Sequence, residues 1–367
     1  MRPDIVIIGG GIAGASLGAM LAQDAKVRIL EMEDSAGYHA TGRSVAFWEE
    51  TYGGPAIQPL TSASEKMLSS PDPALSERGF LSPRRTLHIG RDEDRPACER
   101  LLRDYAGKVD LLPVSPRQIV PGLRPAWTIG LLEPSCQDID VHALHSAYLR
   151  RIRALGGEIR LATMLHRARG GADGWRLETS GGTIECGLIV NAAGAWADGV
   201  ARSCGVEPIG IRPLRRTVVQ LRVPSMPTPD LPLVMDLAGG FYFKPAGEGR
   251  MWLTPHDESP AEPGDAAPEE LAVAEAIERF GTVVDWPIAA IEHKWAGLRS
   301  FAPDRAPVYG YDPVVPGFFW FARLGGFGIQ TAPAAAMLAS GLLTGAARAP
   351  AIASLDAALY SPARFLT

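Results

Sequence analysis

Asp4-Ile5-Val6-Ile7-Ile8-Gly9-Gly10-Gly11-Ile12-Ala13-Gly14-Ala15-Ser16 decides the fold. Four apolar residues in a row suit a parallel strand buried on both faces, and the glycines end it. A helix then runs on through Leu17, Met20 and Leu21, and Lys26–Leu30 is a second β-rich run closed by Glu31. Within this strand–helix–strand unit, Gly9-x-Gly11-x-x-Gly14 has a physical purpose. The first glycine makes the tight turn, the second lets backbone approach a pyrophosphate, and the third packs helix on strand. The helix N-terminus offers unpaired N–H groups to the anion. Glu31, seventeen residues after Gly14, stands where a carboxylate accepts from ribose hydroxyls and repels a 2′-phosphate. A dinucleotide site is the expectation, with NADP disfavoured.

The surrounding composition agrees. The 367 residues are 46% hydrophobic and 21% charged, with net charge −5, which excludes a disordered chain and argues against nucleic-acid binding. The length suggests two domains. Cys98, Cys136, Cys186 and Cys204 form no Cys-x-x-Cys pair and have no histidine at zinc-ligand spacing, so reduced thiols and a cytoplasmic location are expected. The apolar stretch at the N-terminus is too short for a signal-peptide core, so no leader is expected, and no uncharged run reaches membrane-span length.

Further signals are scattered along the chain. Helices are expected at 57–68, 141–155, 269–280 and 330–343. Trp175–Glu178 and Thr183–Cys186 read as a hairpin, and the stretches 216–223 and 241–254 alternate like sheet strands. Pro255–Pro268, rich in Pro, Asp and Glu, reads as a mobile surface loop. The acids from Asp265 to Glu270 read as a solvated loop and helix start. Two more small-residue turns follow buried strands: Asn191-Ala192-Ala193-Gly194-Ala195-Trp196 and Gly325-Gly326-Phe327-Gly328-Ile329-Gln330-Thr331. Either is an ordinary strand–helix turn by itself. Together they suit a large planar cofactor, the second with its helix dipole near developing negative charge.

With His39-Ala40-Thr41-Gly42-Arg43-Ser44 and Trp295-Ala296-Gly297-Leu298-Arg299-Ser300, these strings resemble the FAD-dependent D-amino-acid oxidase family over essentially the whole chain. Gly37–Ser44 and the Gly326–Thr331 ending are most similar to bacterial D-arginine-dehydrogenase-type enzymes. The resemblance implies an α/β fold: a discontinuous Rossmann-like FAD-binding domain (1–82, 139–212 and 298–367) and an inserted α+β substrate domain with a mainly antiparallel sheet (83–138 and 213–297). It implies non-covalent FAD held by Gly9, Gly11, Ile12, Ala13, Gly14, Glu31, Met32, Thr41, Gly42, Arg43, Ser44, Ala46, Leu165, Ala193, Gly194, Trp196, Gly325, Gly326, Gly328, Ile329, Gln330 and Thr331.

Arg299, in apolar company, needs an anionic partner, either structural or substrate. The resemblance makes it the bidentate clamp on a substrate carboxylate, a geometry arginine suits. Arg216 is the second cation, with Arg215 its rival because alternation turns only one of them inward. Tyr52 and Tyr242 match family tyrosines around the substrate. Phe47, Trp48, Thr86 and Gly326 complete the expected substrate site. Phe47 and Trp48 depart from a histidine and its polar neighbour in the nearest relatives, and Thr86 stands in place of a carboxylate, which disfavours D-arginine. The remaining histidines show no metal spacing, so no metal is expected. Oxidative deamination of a D-amino acid is the implied reaction. The alternative is oxidation of a secondary or N-methyl amino acid or a 2-hydroxy acid, and the electron acceptor is oxygen or a quinone.

Overall fold

A computed structural model describes residues 2–226, 230–322, 324–347 and 349–365. The strand Ile5–Ile8 lies in the middle of a six-stranded sheet ordered Val308–Tyr311, Phe318–Ala322, Leu188–Asn191, Ile5–Ile8, Val27–Leu30 and Glu158–Arg160. All neighbours run parallel except the first pair. Helices cover one face of this sheet: Ile12–Leu21, Val141–Ala154 and the alanine-rich Gly328–Thr344. The other face packs against the expected hairpin, found as Gly174–Thr179 and Gly182–Cys186 within a three-stranded sheet. Small side chains explain the close approach of the first and last helices, since Ala15, Ala332, Ala335 and Ala336 are completely buried between them.

A second, mainly antiparallel sheet forms the other layer. Arg212–Arg222 pairs along its length with Ala290–Phe301, and then come Arg250–Thr254, Tyr242–Pro245, Leu233–Asp236, Thr86–Gly90 and Ile129–Glu133. One face carries Leu87, Val219, Leu221, Phe243 and Leu253 into a core closed by the helix Glu270–Val283. Alternation turns Arg216, Val218 and Tyr242 to the opposite face, toward the first domain's sheet. Arg215 faces away from that cleft and pairs with Glu269.

The segment 255–268 is a surface loop held at several points. Ser259–Pro260 pairs with Leu214 and Arg215 as a short edge strand, and Asp257 accepts from Thr217 N (2.7 Å) and Oγ1 (2.9 Å). Asp265 binds Arg43, and Glu270 binds Lys294. Asp265 and Glu270 keep 63% and 80% of their side chains exposed and the helix begins at Glu270, so these acids form a solvated loop and helix start, with Asp265 reaching Arg43. Among the described residues, no helix is long and apolar enough to cross a membrane.

Candidate functional site

One long cleft runs between the two sheets. At one end it is lined by Gly9, Gly11, Ile12, Ala13, Glu31 and Met32, and at the other by Phe47, Tyr52, Arg216, Tyr242 and Arg299. The first end is built by the opening turn. A Cβ on Gly14 would lie 1.9 Å from Gly9 O, so only glycine brings the helix Ile12–Leu21 this close to its strand. That helix has no side-chain cap from Gly11, but Thr41 Oγ1 accepts from Ile12 N at 2.9 Å. Glu31 is held in place by Gly10 N (2.8 Å) and Glu33 N (3.0 Å), one on each carboxylate oxygen.

At the other end, Arg299 comes from the last turn of the strand Ala290–Phe301. Ser300 pairs with Gly325 there, which lays the guanidinium against the turn before the final helix. A Cβ on Gly326 would lie 2.7 Å from Arg299 Cζ, so this glycine is the space the arginine occupies. Among the described residues Arg299 makes no ion pair. Its guanidinium lies 5.8 Å over the Tyr52 ring. Burial opposes its charge, but Tyr52 and Tyr242 beside it hold its pKa above the ordinary arginine value. Arg216, 4% exposed, donates Nε to Asp257 O (2.9 Å) and Nη2 to Glu258 (3.2 Å), while Nη1 is buried without a partner. Burial, then the charge of Arg299, bring its pKa down to about 10, leaving it a cation at neutral pH. Burial and then Tyr52 push Tyr242 up to about 12, so its phenol keeps its proton. Phe47 meets Tyr52 and Tyr242 edge-on at 4.9 and 5.6 Å, and Phe327 meets Tyr52 at 5.3 Å. Two guanidiniums thus sit in an aromatic enclosure: Arg216 is paired with Glu258, and Arg299 has no carboxylate partner among the described residues.

Over residues 4–342 the sequence matches the family described as DAO: FAD dependent oxidoreductase. The chain belongs to that family. It is 26% identical to the glycine oxidase of Geobacillus kaustophilus, spanning 93% of each chain. It is also 26% identical to the mitochondrial dimethylglycine dehydrogenase of Mus musculus, over 68% of this chain and 30% of that one. The chain spans 34% of the Xenopus laevis FAD-dependent oxidoreductase domain-containing protein 1 and 54% of the bifunctional protein ThiO/ThiG of Synechocystis. The fold matches the crystal structure of the Geobacillus glycine oxidase with a TM-score of 0.84 at 22% identity, over 99% of both chains. An L-proline dehydrogenase from P. horikoshii also matches at 0.84, with 21% identity, over 99% of this chain and 98% of that one.

The cofactor of this oxidoreductase is FAD, and the first end of the cleft fits it. The helix N-terminus, the buried Glu31 carboxylate and the small residues Ala192, Ala193 and Gly194 would hold the dinucleotide. The structure brings nearly all of the expected cofactor residues to the cleft wall, including Met32, Arg43, Ser44, Ala46, Leu165, Trp196, Gly325, Gly328 and Ile329. Three do not line it. Gly14 sits behind Gly9, Gly42 donates its N–H back to Gly37 O (2.8 Å), and Thr331 turns its hydroxyl onto Phe327 O (2.9 Å). Gln330 lines the wall, but its amide serves the protein: it accepts from Glu49 N and donates to Tyr52 O and Thr61 Oγ1.

Two expected substrate residues also lie outside the cleft. Trp48 is buried in the first domain's core, donating Nε1 to Thr61 O at 2.8 Å, because its strand turns Phe47 one way and Trp48 the other. Thr86 is fully buried in the second sheet, between Glu133 and Leu233. Arg84 pairs with Asp138 at 2.6 Å, and Arg85 reaches Asp230 O at 3.2 Å. Sequence reasoning missed His256. Its backbone is left-handed (φ 59°), its ring lies 5.6 Å from Tyr242, and its Nε2 is buried without a partner. Flanked by Pro255 and Asp257, it reads as an ordinary turn residue in the sequence.

Proposed function

We propose that this FAD-dependent oxidoreductase oxidises the Cα–N bond of a D-amino acid, giving an imino acid that water hydrolyses to the 2-oxo acid and ammonia. The observation that carries this reading is Arg299, an arginine without an ion pair in the cleft, beside Arg216 and framed by Tyr52 and Tyr242. When bound, FAD supplies a two-electron acceptor for the hydride leaving Cα. The chain supplies position. Arg299 takes the carboxylate bidentately, Arg216 adds its free Nη1, and the protonated Tyr242 donates a hydrogen bond. Phe47 presents an apolar wall, which disfavours the ammonium form and keeps the amine neutral. Among the described residues the only histidine lining the cleft, His39, is engaged by Glu33 at 2.7 Å, so no cleft residue is assigned as a base.

The same apolar wall favours a second reading, oxidation of a secondary or N-methyl amino acid, because an added methyl there displaces no hydrogen bond. We also infer non-covalent FAD, since no cysteine lines the cleft, and a cytoplasmic location, since all four cysteines are free thiols. We further infer the domain division 1–82, 139–212 and 298–367 for the cofactor and 83–138 and 213–297 for the substrate, with Phe47, Tyr52 and Arg299 reaching the substrate from the cofactor segments. The test is anaerobic bleaching of the yellow holoenzyme with D- and L-amino acids, sarcosine, N,N-dimethylglycine and 2-hydroxy acids. D-amino acids are expected to bleach it fastest. Bleaching only by the N-methyl set selects the second reading, and no bleaching by any amine overturns both.

A further inference from the structure

Behind the Phe47–Tyr52 wall lies a group of side chains that the cleft does not use. Glu49 and Glu133 are completely buried and His88 is 4% exposed. Glu49 follows the short strand Phe47–Trp48, His88 is in Thr86–Gly90 and Glu133 ends Ile129–Glu133, so distant parts of the chain converge here. Histidine spacing along the sequence gives no hint of this convergence.

The distances are informative. His88 Nε2 lies 3.3 Å from Glu49 Oε1, 3.5 Å from Glu133 Oε2 and 3.4 Å from Thr51 Oγ1. A charge-assisted N–H···O bond is about 2.7–2.9 Å, so none of the three has that length. A tetrahedral ion bound at about 2.0–2.1 Å sets its ligands about 3.3–3.4 Å apart. The imidazole nitrogen therefore faces the two carboxylates at close to the separation a small central ion imposes. Thr51 Oγ1 lies 2.6 Å from Glu133 Oε2 and 3.2 Å from Glu49 Oε1, and its single proton serves only one of these carboxylates at a time. Glu49 Oε2 is buried with no partner at all.

The surroundings are also arranged. Glu133 Oε1 accepts from Glu50 N (3.0 Å) and Ser135 Oγ (3.4 Å), which fixes that carboxylate and leaves Oε2 to the centre. Tyr105 Oη donates to Thr51 O at 2.9 Å, and Gln330 Oε1 accepts from Glu49 N at 3.2 Å, anchoring both ends of the segment. With the imidazole neutral and both carboxylates ionised, as metal ligation requires, the group carries two negative charges, which a divalent cation cancels.

We propose that Glu49, His88 and Glu133 form a buried structural site for a divalent transition-metal ion, zinc by its imidazole and carboxylate ligands, with the Thr51 hydroxyl hydrogen-bonded to Glu133 beside it. The site holds the segment carrying Tyr52 against the second sheet, and the ion is acquired as the chain folds because the ligands are sealed from solvent. The test uses FAD-loaded protein expressed in medium supplemented with zinc and manganese, treated with EDTA and desalted. Metal is read by inductively coupled plasma mass spectrometry and FAD by absorbance. About one ion per chain is expected to survive EDTA and to be released on denaturation, the behaviour of a structural site. His88→Gln and Glu133→Gln should lose it. Folded, FAD-loaded wild type with less than about a tenth of an ion per chain overturns the proposal and leaves a proton as the occupant. So does metal that persists undiminished in both variants. If the variants do not fold, X-ray absorption of the wild type decides: a first shell of one imidazole and oxygens at about 2.0–2.1 Å supports the site, and sulfur ligands refute it.

Discussion

Arg299 shows how much one residue can be asked to do. It is half-buried, it has no ion pair among the described residues, and glycine at 326 is what gives it room. Burying an unpaired guanidinium is costly, and the cost is recovered only when an anion arrives. Removing one partner of such a desolvated pair commonly costs about 3–5 kcal/mol. For Arg299→Ala, kcat/KM toward the best amino-acid substrate is expected to fall by roughly two to four orders of magnitude. Arg299→Lys keeps the charge but loses the planar fork, and should fall between wild type and alanine. FAD absorbance should stay at wild-type stoichiometry in both. A loss below about tenfold with FAD retained would mean that the carboxylate is held elsewhere. Arg216 was distinguishable from Arg215 only by alternation. The sequence left the two open, and the pairing of Arg215 with Glu269 on the far face resolves them.

At the scale of elements, the opening strand–turn–helix was legible because its chemistry is local. Apolar run, glycines and acid all lie within 28 residues, and the structure keeps their register from Ile5 to Glu31. Gly14→Ala tests this reading directly. Its Cβ would meet Gly9 O at 1.9 Å, so either the helix retreats or the turn distorts. Overpacking of that kind costs about 1–3 kcal/mol, which weakens FAD by about 5- to 150-fold if it falls on the bound state. Purified Gly14→Ala is expected to be colour-depleted, and FAD titration followed by tryptophan quenching measures the change. An unchanged affinity would remove Gly14 from its packing role. Elements defined by distant partners were harder to read. Trp48 was expected beside Phe47 at the substrate, yet a strand sends neighbours to opposite faces, and only knowing the face assigns them. The ties of Asp257 and Asp265 were not legible because their partners Thr217 and Arg43 lie more than 35 residues away in sequence. The Glu49–His88–Glu133 group was invisible for the same reason.

The whole molecule sets the substrate by what its two layers bring to the cleft. Among the described lining residues the only carboxylate is Glu31, at the cofactor end, whereas Arg216 and Arg299 stand at the substrate end. Glu49 and Glu50 follow Phe47 and Trp48 in the sequence and are the acids nearest that wall along the chain. The fold removes both, because Glu49 is buried with His88 and Glu133, and Glu50 is bound to Ser62. Lys244, 3% exposed and paired with Asp138 at 2.6 Å, sits behind Phe47 and adds positive charge to that wall. A cationic side chain entering this enclosure gives up its hydration, finds no carboxylate and meets two guanidiniums. The enzyme is therefore expected to prefer D-amino acids with neutral side chains, with D-arginine at least about tenfold below D-methionine in kcat/KM, a gap of about 1.4 kcal/mol. D-glutamate should lie above D-arginine, since its second carboxylate can reach Arg216 Nη1, which has no partner. Measuring kcat/KM for D-arginine, D-methionine, D-phenylalanine and D-glutamate under one set of conditions decides this. If D-arginine is best, a carboxylate must reach the cleft in the working enzyme, and the fixed positions of Glu49 and Glu50 would be wrong. If all four react alike, the side chain lies outside the enclosure, and selectivity rests on the carboxylate clamp alone.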